Sequence, residues 1–499
     1  MLTNRASGIL LHPTSLPGAF GAGDFGADAY KFVDWLANAG QTYWQVLPLG
    51  EIGPGNSPYM SRSAFAGNVL LIDLAELASH GWLSRQDMVP DPGFRAGQVD
   101  FSLVQLFRME RLRRAAVNFF ADHSDEMRKI YDEYCAAESR WLNDYALFMT
   151  ISERNHWHAW NLWSKALAQR DPRSLRDIEA SCADEVGFWK FCQWRFAHQW
   201  SQLKRYANER GIRIIGDVPI FVAYQSADVW SHQELFELDE HGHPTVVAGV
   251  PPDYFSKTGQ LWGNPLYRWD AHQESDYAWW IARLRHAVQQ SDLVRVDHFR
   301  GFAAYWEIPV DAPDAITGEW VPGPGEKLFE AFETALPHLP IIAEDLGVIT
   351  PDVESLRDKF NLPGMRVLQF AFGEGEGNHF LPHNYIANTI AYTGTHDNDT
   401  TIGWWNNTPH HVKTFARQYL GSGGEPINWA MMRALSRSVA NTVVFPLQDV
   451  LDLSSEHRMN LPGQPTGNWE WRFSWSQLQP ERTQALAKMS AENGRDMSD

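Results

Sequence analysis

Hydrophobic positions along the chain gather into short unbroken runs. They are GILLHP near Ile9, YWQVLPL near Val46, IRIIGDVPIFV (212–222), LVRVDHF (293–299), PIIAEDLG (340–347), GMRVLQFAF (364–372), TIAYTGTHD (389–397) and TVVFPLQDV (442–450). Runs of this kind read as strands buried on both faces, which is how parallel strands covered by helices are patterned. Between the first two, DAYKFVDWLANA (28–39) places Ala29, Phe32, Val33, Leu36 and Ala37 on one helical stripe, and Gly40 follows where a left-handed cap is needed. Run, helix, run is the βαβ unit. Eight runs with helical stretches between them predict an α/β chain folded as a (β/α)8 TIM barrel. A doubly wound sheet is the alternative, but the Gly-rich phosphate turn it needs after the first strand is missing. No internal repeat at solenoid or propeller spacing is visible.

Two stretches are too long to be simple connections, so the barrel of residues 1–499 is expected to be interrupted twice. Residues 101–211 are helical in pattern, with Leu112, Ala115, Ala116 and Phe119 on one stripe. Within them GFWKFCQWRFAHQW (187–200) is aromatic on more than one face and predicts a buried helix. Residues 223–292 mix Gly, Pro and aromatic residues without period, and read as a loop-rich insertion at the active-site end.

Composition removes several classes of function. The 61 acidic and 42 basic residues leave a net charge of −19, with no cluster of Lys and Arg. Binding to nucleic acid or to anionic membrane is therefore not expected. No apolar run approaches the ~20 residues of a membrane span. The opening MLTNRASGIL carries no secretory pattern, and three cysteines (Cys135, Cys182, Cys192) without metal-ligand spacing read as reduced thiols of a cytoplasmic protein. Tryptophan is abundant, with 23 copies, which fits core filling and also surfaces that stack on sugars.

The candidate chemistry sits at strand ends. In LVRVDHF, Arg295 and Asp297 share a face because strand side chains alternate. A guanidinium beside a carboxylate keeps it ionised, as a nucleophile requires, although the pair also reads as purely structural. PIIAEDLG ends in Glu344, placed to be a general acid, and Asp345, read as the cap of the next helix. TGTHDNDT supplies His396, Asp397 and Asp399. Adjacent His and Asp on a strand face opposite ways, so no metal site is expected, and no cofactor fingerprint is present. Two carboxyls flanking a bond with a third holding the sugar is the arrangement retaining glycosidase chemistry needs.

These regions, RVDHF, AEDLG and THDND, resemble those of the α-amylase clan. Over nearly its whole length the chain resembles the 4-α-glucanotransferases (amylomaltases, or disproportionating enzymes). The segments that carry the likeness are SGILLHPTSLPG, SPYMSRSAFAGN, GDVPIFV, GVPPDYFS with GQLWGNPLY, RVDHFRGF, AEDLG, GTHDND and RMNLPGQPTGNWEWR. The resemblance implies Asp297 as nucleophile, Glu344 as general acid/base and Asp397 as transition-state stabiliser. It implies that Arg295 and His396 contact the sugar, that Tyr59 stacks on it, and that Trp262, Tyr254 and Phe255 form a lid on the acceptor side. Asp217 in GDVPIF matches an Asp of the clan's first conserved region. The His that amylases carry there is absent, which fits the glucanotransferases. Asn468 in GNWEWR matches a position near the sugar, and equally suits a turn.

The expected substrates are malto-oligosaccharides and amylose, with glucose as an acceptor, and no metal or cofactor is expected. Two other readings stand beside this one. An α-1,4-glucan hydrolase would use the same three carboxylates, and a glycan-binding protein would keep the barrel without the chemistry.

Overall fold

The eight apolar runs become the eight staves of one closed barrel. The computed structural model describes residues 4–122, 125–252, 256–336, 338–373 and 375–496. In chain order the strands are β1 (Ala6–Leu10), β2 (Tyr43–Gln45), β3 (Arg213–Pro219), β4 (Val246–Val250), β5 (Gln260–Pro265), β6 (Leu293–Asp297), β7 (Ala304–Pro309), β8 (Glu319–Pro322), β9 (Ile341–Ala343), β10 (Gly364–Val367), β11 (Thr389–Tyr392) and β12 (Thr442–Pro446). The barrel runs β1-β12-β11-β10-β9-β6-β3-β2 and closes through β1, which pairs in parallel with both β12 and β2. Its interior is tight. A Cβ on Gly8 would lie 2.6 Å from the Cβ of Tyr43 on the neighbouring strand, so β1 and β2 approach this closely only with glycine there.

The helix between β1 and β2 spans Ala27–Asn38 and buries Ala29, Phe32, Val33 and Leu36. Gly40 follows at φ 66°, the left-handed conformation that an L side chain resists. Between β2 and β3 lie the long helices Phe101–Ala121, Asp125–Ala137, Ser139–Arg154 and Ala183–Glu209. The last contains the aromatic run. It buries Phe188, Trp189, Phe191, Trp194, Phe196 and Trp200, and Trp200 meets Trp44 of β2 edge-on at 6.4 Å. This helix therefore belongs to the barrel wall as well as to the helical segment before it. Trp44, Trp160, Trp189 and Trp230 are fully buried, so much of the tryptophan serves packing.

The stretch read as loop-rich contains strands. β4 and β5 pair with each other, and β7 and β8, from beyond β6, complete an antiparallel sheet in the order β5-β4-β7-β8. Its apolar face packs Val247, Ile308 and Ala315 into a small core of their own. Among the described residues no helix is long and apolar enough to cross a membrane.

Candidate active site

The carboxylates stand where the parallel strands end. Asp297 is the last residue of β6, and Glu344 follows directly after β9, the neighbouring stave. His396 and Asp397 follow β11 after a short turn. The C-terminal rim is where a closed α/β barrel carries its chemistry, because loops there project over the strand ends.

The shared face of Arg295 and Asp297 is borne out in the geometry. Arg295 Nη2 lies 2.6 Å from Asp297 Oδ1, and Arg295 Nη1 reaches both oxygens of Asp217 at 2.8 and 2.7 Å. Asp217 and Arg295 are register partners on β3 and β6, so pairing of the two strands brings acid and base together. Tyr59, on the short 3-10 turn Pro58–Met60, donates its hydroxyl to Asp217 Oδ2 at 2.8 Å. The side chains differ sharply in access: Asp217 is 0% exposed and Arg295 4%, against 30% for Asp297. Asp217, expected to touch the substrate, is buried and bonded to both Arg295 and Tyr59. Burial alone would lower the pKa of Arg295, but the flanking Asp217 and Asp297 raise it well above the usual guanidinium value.

Glu344 is held by two backbone donors, His298 N–H at 2.7 Å and Leu346 N–H at 3.0 Å. His298 sits at φ 55°, ψ 46°, a left-handed turn that points its N–H back at the carboxylate. Burial pushes the Glu344 carboxyl from the ordinary 4.5 up to about 8, and the negative charge of Asp297 adds to the push. Arg295 and the two N–H donors oppose it. Two acids on adjacent strands thus have unlike surroundings. One is salt-bridged to a buried arginine, and the other is kept protonated near neutral pH.

Asp397, 44% exposed, accepts 2.6 Å from Asn460 Nδ2, and His396 Nε2 lies 3.3 Å from its other oxygen. The His396 ring stacks on Tyr59 at 5.2 Å and 15°, and Trp469 closes against both rings at 5.9 and 5.8 Å. Trp262, on β5, meets the His298 ring edge-on at 4.9 Å. Burial lowers the pKa of His298 to about 4, so the ring is neutral at neutral pH.

Other expectations fall out differently. Asp345 does not cap a helix; the next one, Pro351–Lys359, starts after Thr350. Instead its buried carboxylate accepts the Met365 N–H at 2.6 Å and pairs with Arg357, tying β9 to β10. Asp399 turns away from Asp397 and takes the Ser455 hydroxyl at 2.7 Å. Asn468 is buried in the turn 461–468, accepting from Leu461 N–H at 2.8 Å and donating to the Gln464 carbonyl at 2.9 Å, with no bond to the three carboxylates. Tyr254 and Phe255 lie outside the described residues. His298, Asn460 and Trp469 were not singled out by the sequence reading. Their signal was position: one directly follows Asp297, and the other two lie inside the RMNLPGQPTGNWEWR segment. Among the described residues no three His, Cys, Asp or Glu side chains converge as a metal-binding group.

A carboxylate and a protonated carboxyl on neighbouring staves, with aromatic rings on the adjoining loops, define a barrel enzyme of the class that acts on glycosidic bonds. Within that class the chain belongs to the 4-alpha-glucanotransferase family, whose model matches residues 11–478. It is 51% identical over 494 residues to the 4-alpha-glucanotransferase of Thermus thermophilus, covering 97% of this chain and 98% of the relative. It is 48% identical over 482 residues to that of Synechocystis, covering 96% and 95%. Among solved structures, the amylomaltase of Streptococcus agalactiae in complex with acarbose superposes with a TM-score of 0.96 at 41% identity, covering 99% of this chain and 100% of that one.

Proposed function

We propose that the protein moves α-1,4-glucan segments from a donor malto-oligosaccharide or amylose to the 4-hydroxyl of an acceptor glucan or glucose, by double displacement. The observation that carries this reading is the unlike pair Asp297 and Glu344. Asp297, paired with Arg295 yet open to solvent, attacks the anomeric carbon. Glu344, protonated near neutral pH, donates to the departing glycosidic oxygen, and a glycosyl ester on Asp297 results. Forming the ester removes the charge on Asp297, so the Glu344 pKa falls and the carboxylate can take the proton of the incoming hydroxyl. The retaining reaction requires the two carboxyls about 5–5.5 Å apart. Asp397, steadied by Asn460, accepts from sugar hydroxyls more strongly as the ring flattens. Tyr59 and His396 offer a stacked wall for the sugar in the donor site.

Transfer demands that an acceptor hydroxyl outcompete water at the ester. Trp262, on a sheet strand against His298, provides an apolar wall beside that bond. These steps require no metal or cofactor. The free thiols, two of them buried, suit a reducing compartment, which we take to be the cytoplasm.

Incubation with maltotriose, with products resolved by chain length and reducing ends counted, tests the reading. Glucose plus a ladder of longer oligosaccharides at constant reducing ends is expected. Glucose and maltose alone with rising reducing ends would make the protein a hydrolase instead.

A further inference from the structure

The segment RMNLPGQPTGNWEWR (458–472) brings more than Asn460 and Trp469 to the site. Asp397 stands outside regular structure, in the loop beyond β11. Its side chain is 44% exposed, and such a carboxylate keeps its rotamer freedom unless its backbone and one oxygen are held. Three anchors hold it. The Asp397 N–H donates to Thr395 Oγ1 at 3.3 Å, and Asn460 takes Oδ1. The third is the Asp397 carbonyl, which accepts from Arg458 Nη2 at 2.8 Å. Arg458 Nε donates to the Asn460 carbonyl, also at 2.8 Å. One guanidinium thus clamps the backbone of Asp397 to the backbone of the residue that bonds its carboxylate. The Asn460 N–H adds a bond to the His396 carbonyl at 3.1 Å.

The clamp is itself anchored away from β11. The Met459 carbonyl accepts from the Trp469 N–H at 2.7 Å, and the His457 carbonyl accepts from Gln448 Nε2 at 3.2 Å. Gln448 lies on the short helix Leu447–Val450, which directly follows β12. The position of Asp397 is therefore set from the neighbouring stave as well as from its own. A guanidinium suits this half-buried place because its rigid fork sends two N–H groups to two carbonyls at once, whereas a lysine ammonium is a point donor without that geometry.

We infer that Arg458 is a positioning residue for glycosyl transfer, aiming the Asp397 carboxylate by fixing its backbone against Asn460. The inference rests on the stabilising role given to Asp397 above. A carboxylate that engages the sugar as its ring flattens acts mainly in the transition state, so misplacing it lowers kcat and spares binding of the ground state.

Full-length Arg458→Lys and Arg458→Met test this, with melting curves to report folding. In both, kcat on maltotriose should fall about tenfold or more while KM changes less than about threefold. Inhibition by acarbose, whose unsaturated ring is already flattened, should weaken by about the same factor as kcat/KM. A residue that only holds its loop together would not single out the flattened ring. Should Arg458→Met not fold, Arg458→Lys decides alone. A kcat within about twofold of the parent overturns the inference, as does a loss carried by KM or an acarbose inhibition constant that does not move. Failure of the underlying reading looks different: the unaltered protein then makes no ladder from maltotriose, or Asp397→Asn keeps the kcat of the parent.

Discussion

The proton on Glu344 sets the pH range in which the first chemical step can run. At an ordinary 4.5 this carboxyl would be protonated in about one molecule in 300 at pH 7, whereas at about 8 the protonated form prevails by about ten to one. Burial and Asp297 together therefore raise the working acid about 300-fold at pH 7, which corresponds to about 3 kcal/mol. The expected profile of kcat/KM for maltotriose, followed by glucose release, is level from neutral pH to just below pH 8 and then falls about tenfold per unit. The cause can be separated from the value. Asp297→Asn removes a neighbouring negative charge, which favours the ionised form, so the Glu344 pKa must move down. Burial, the larger cause, is left in place by the substitution and continues to push it up. That variant turns over no substrate, so its titration is read from the infrared band of the protonated carboxyl. A basic limb in the ordinary carboxylate range, or a midpoint unmoved by Asp297→Asn, would refute the reasoning.

Three further outcomes are expected. Asn460→Ala removes the 2.6 Å bond to Asp397, and a bond to a charged group contributes about 1.5–3 kcal/mol. We expect kcat on maltotriose to fall about ten- to hundredfold with little change in melting temperature. A kcat within about twofold of the parent would contradict the assignment. Trp262→Ala opens the wall beside His298, so reducing ends should accumulate for each glucose released; an unchanged ratio would place water exclusion elsewhere. Asp217→Asn breaks a buried pair and leaves Arg295 short of one carboxylate, which costs about 3–5 kcal/mol in urea unfolding. A loss below about 1 kcal/mol, the scale of exposed pairs, would show that water reaches the pair.

The barrel was legible because its strands are apolar on both faces. IRIIGDVPIFV or TVVFPLQDV can be read as a buried stave without knowing its neighbours. The second sheet was not legible, for a physical reason. β8 is almost wholly exposed, and β5 contains Gly263, Asn264 and Pro265. β4 lies among glycines and prolines and finds β7 only across the intervening β6. Such strands exist through pairing, which a local pattern does not record. At the site, strand alternation was enough to join Arg295 to Asp297. It could not show that Asp217 on a different strand completes the ion pair, because parallel register between β3 and β6 decides that. Asn460 was hidden for the same kind of reason: its loop is remote in sequence from Asp397 and meets it only once the barrel closes.

The wall that carries Trp262 is assembled from two pieces of chain, one entering before the strand that ends in Asp297 and one leaving just after it. An engineer wishing to change acceptor preference cannot exchange this wall as a single cassette. Replacing residues 246–265 alone strips β7 of a partner and exposes an unpaired edge, and replacing 304–322 alone does the same to β4. Both pieces have to be changed together, and the second begins seven residues past Asp297, after the short turn Phe299–Phe302. Altered specificity in this scaffold is therefore reached more readily by single substitutions on the inner face of β5 than by swapping segments between relatives.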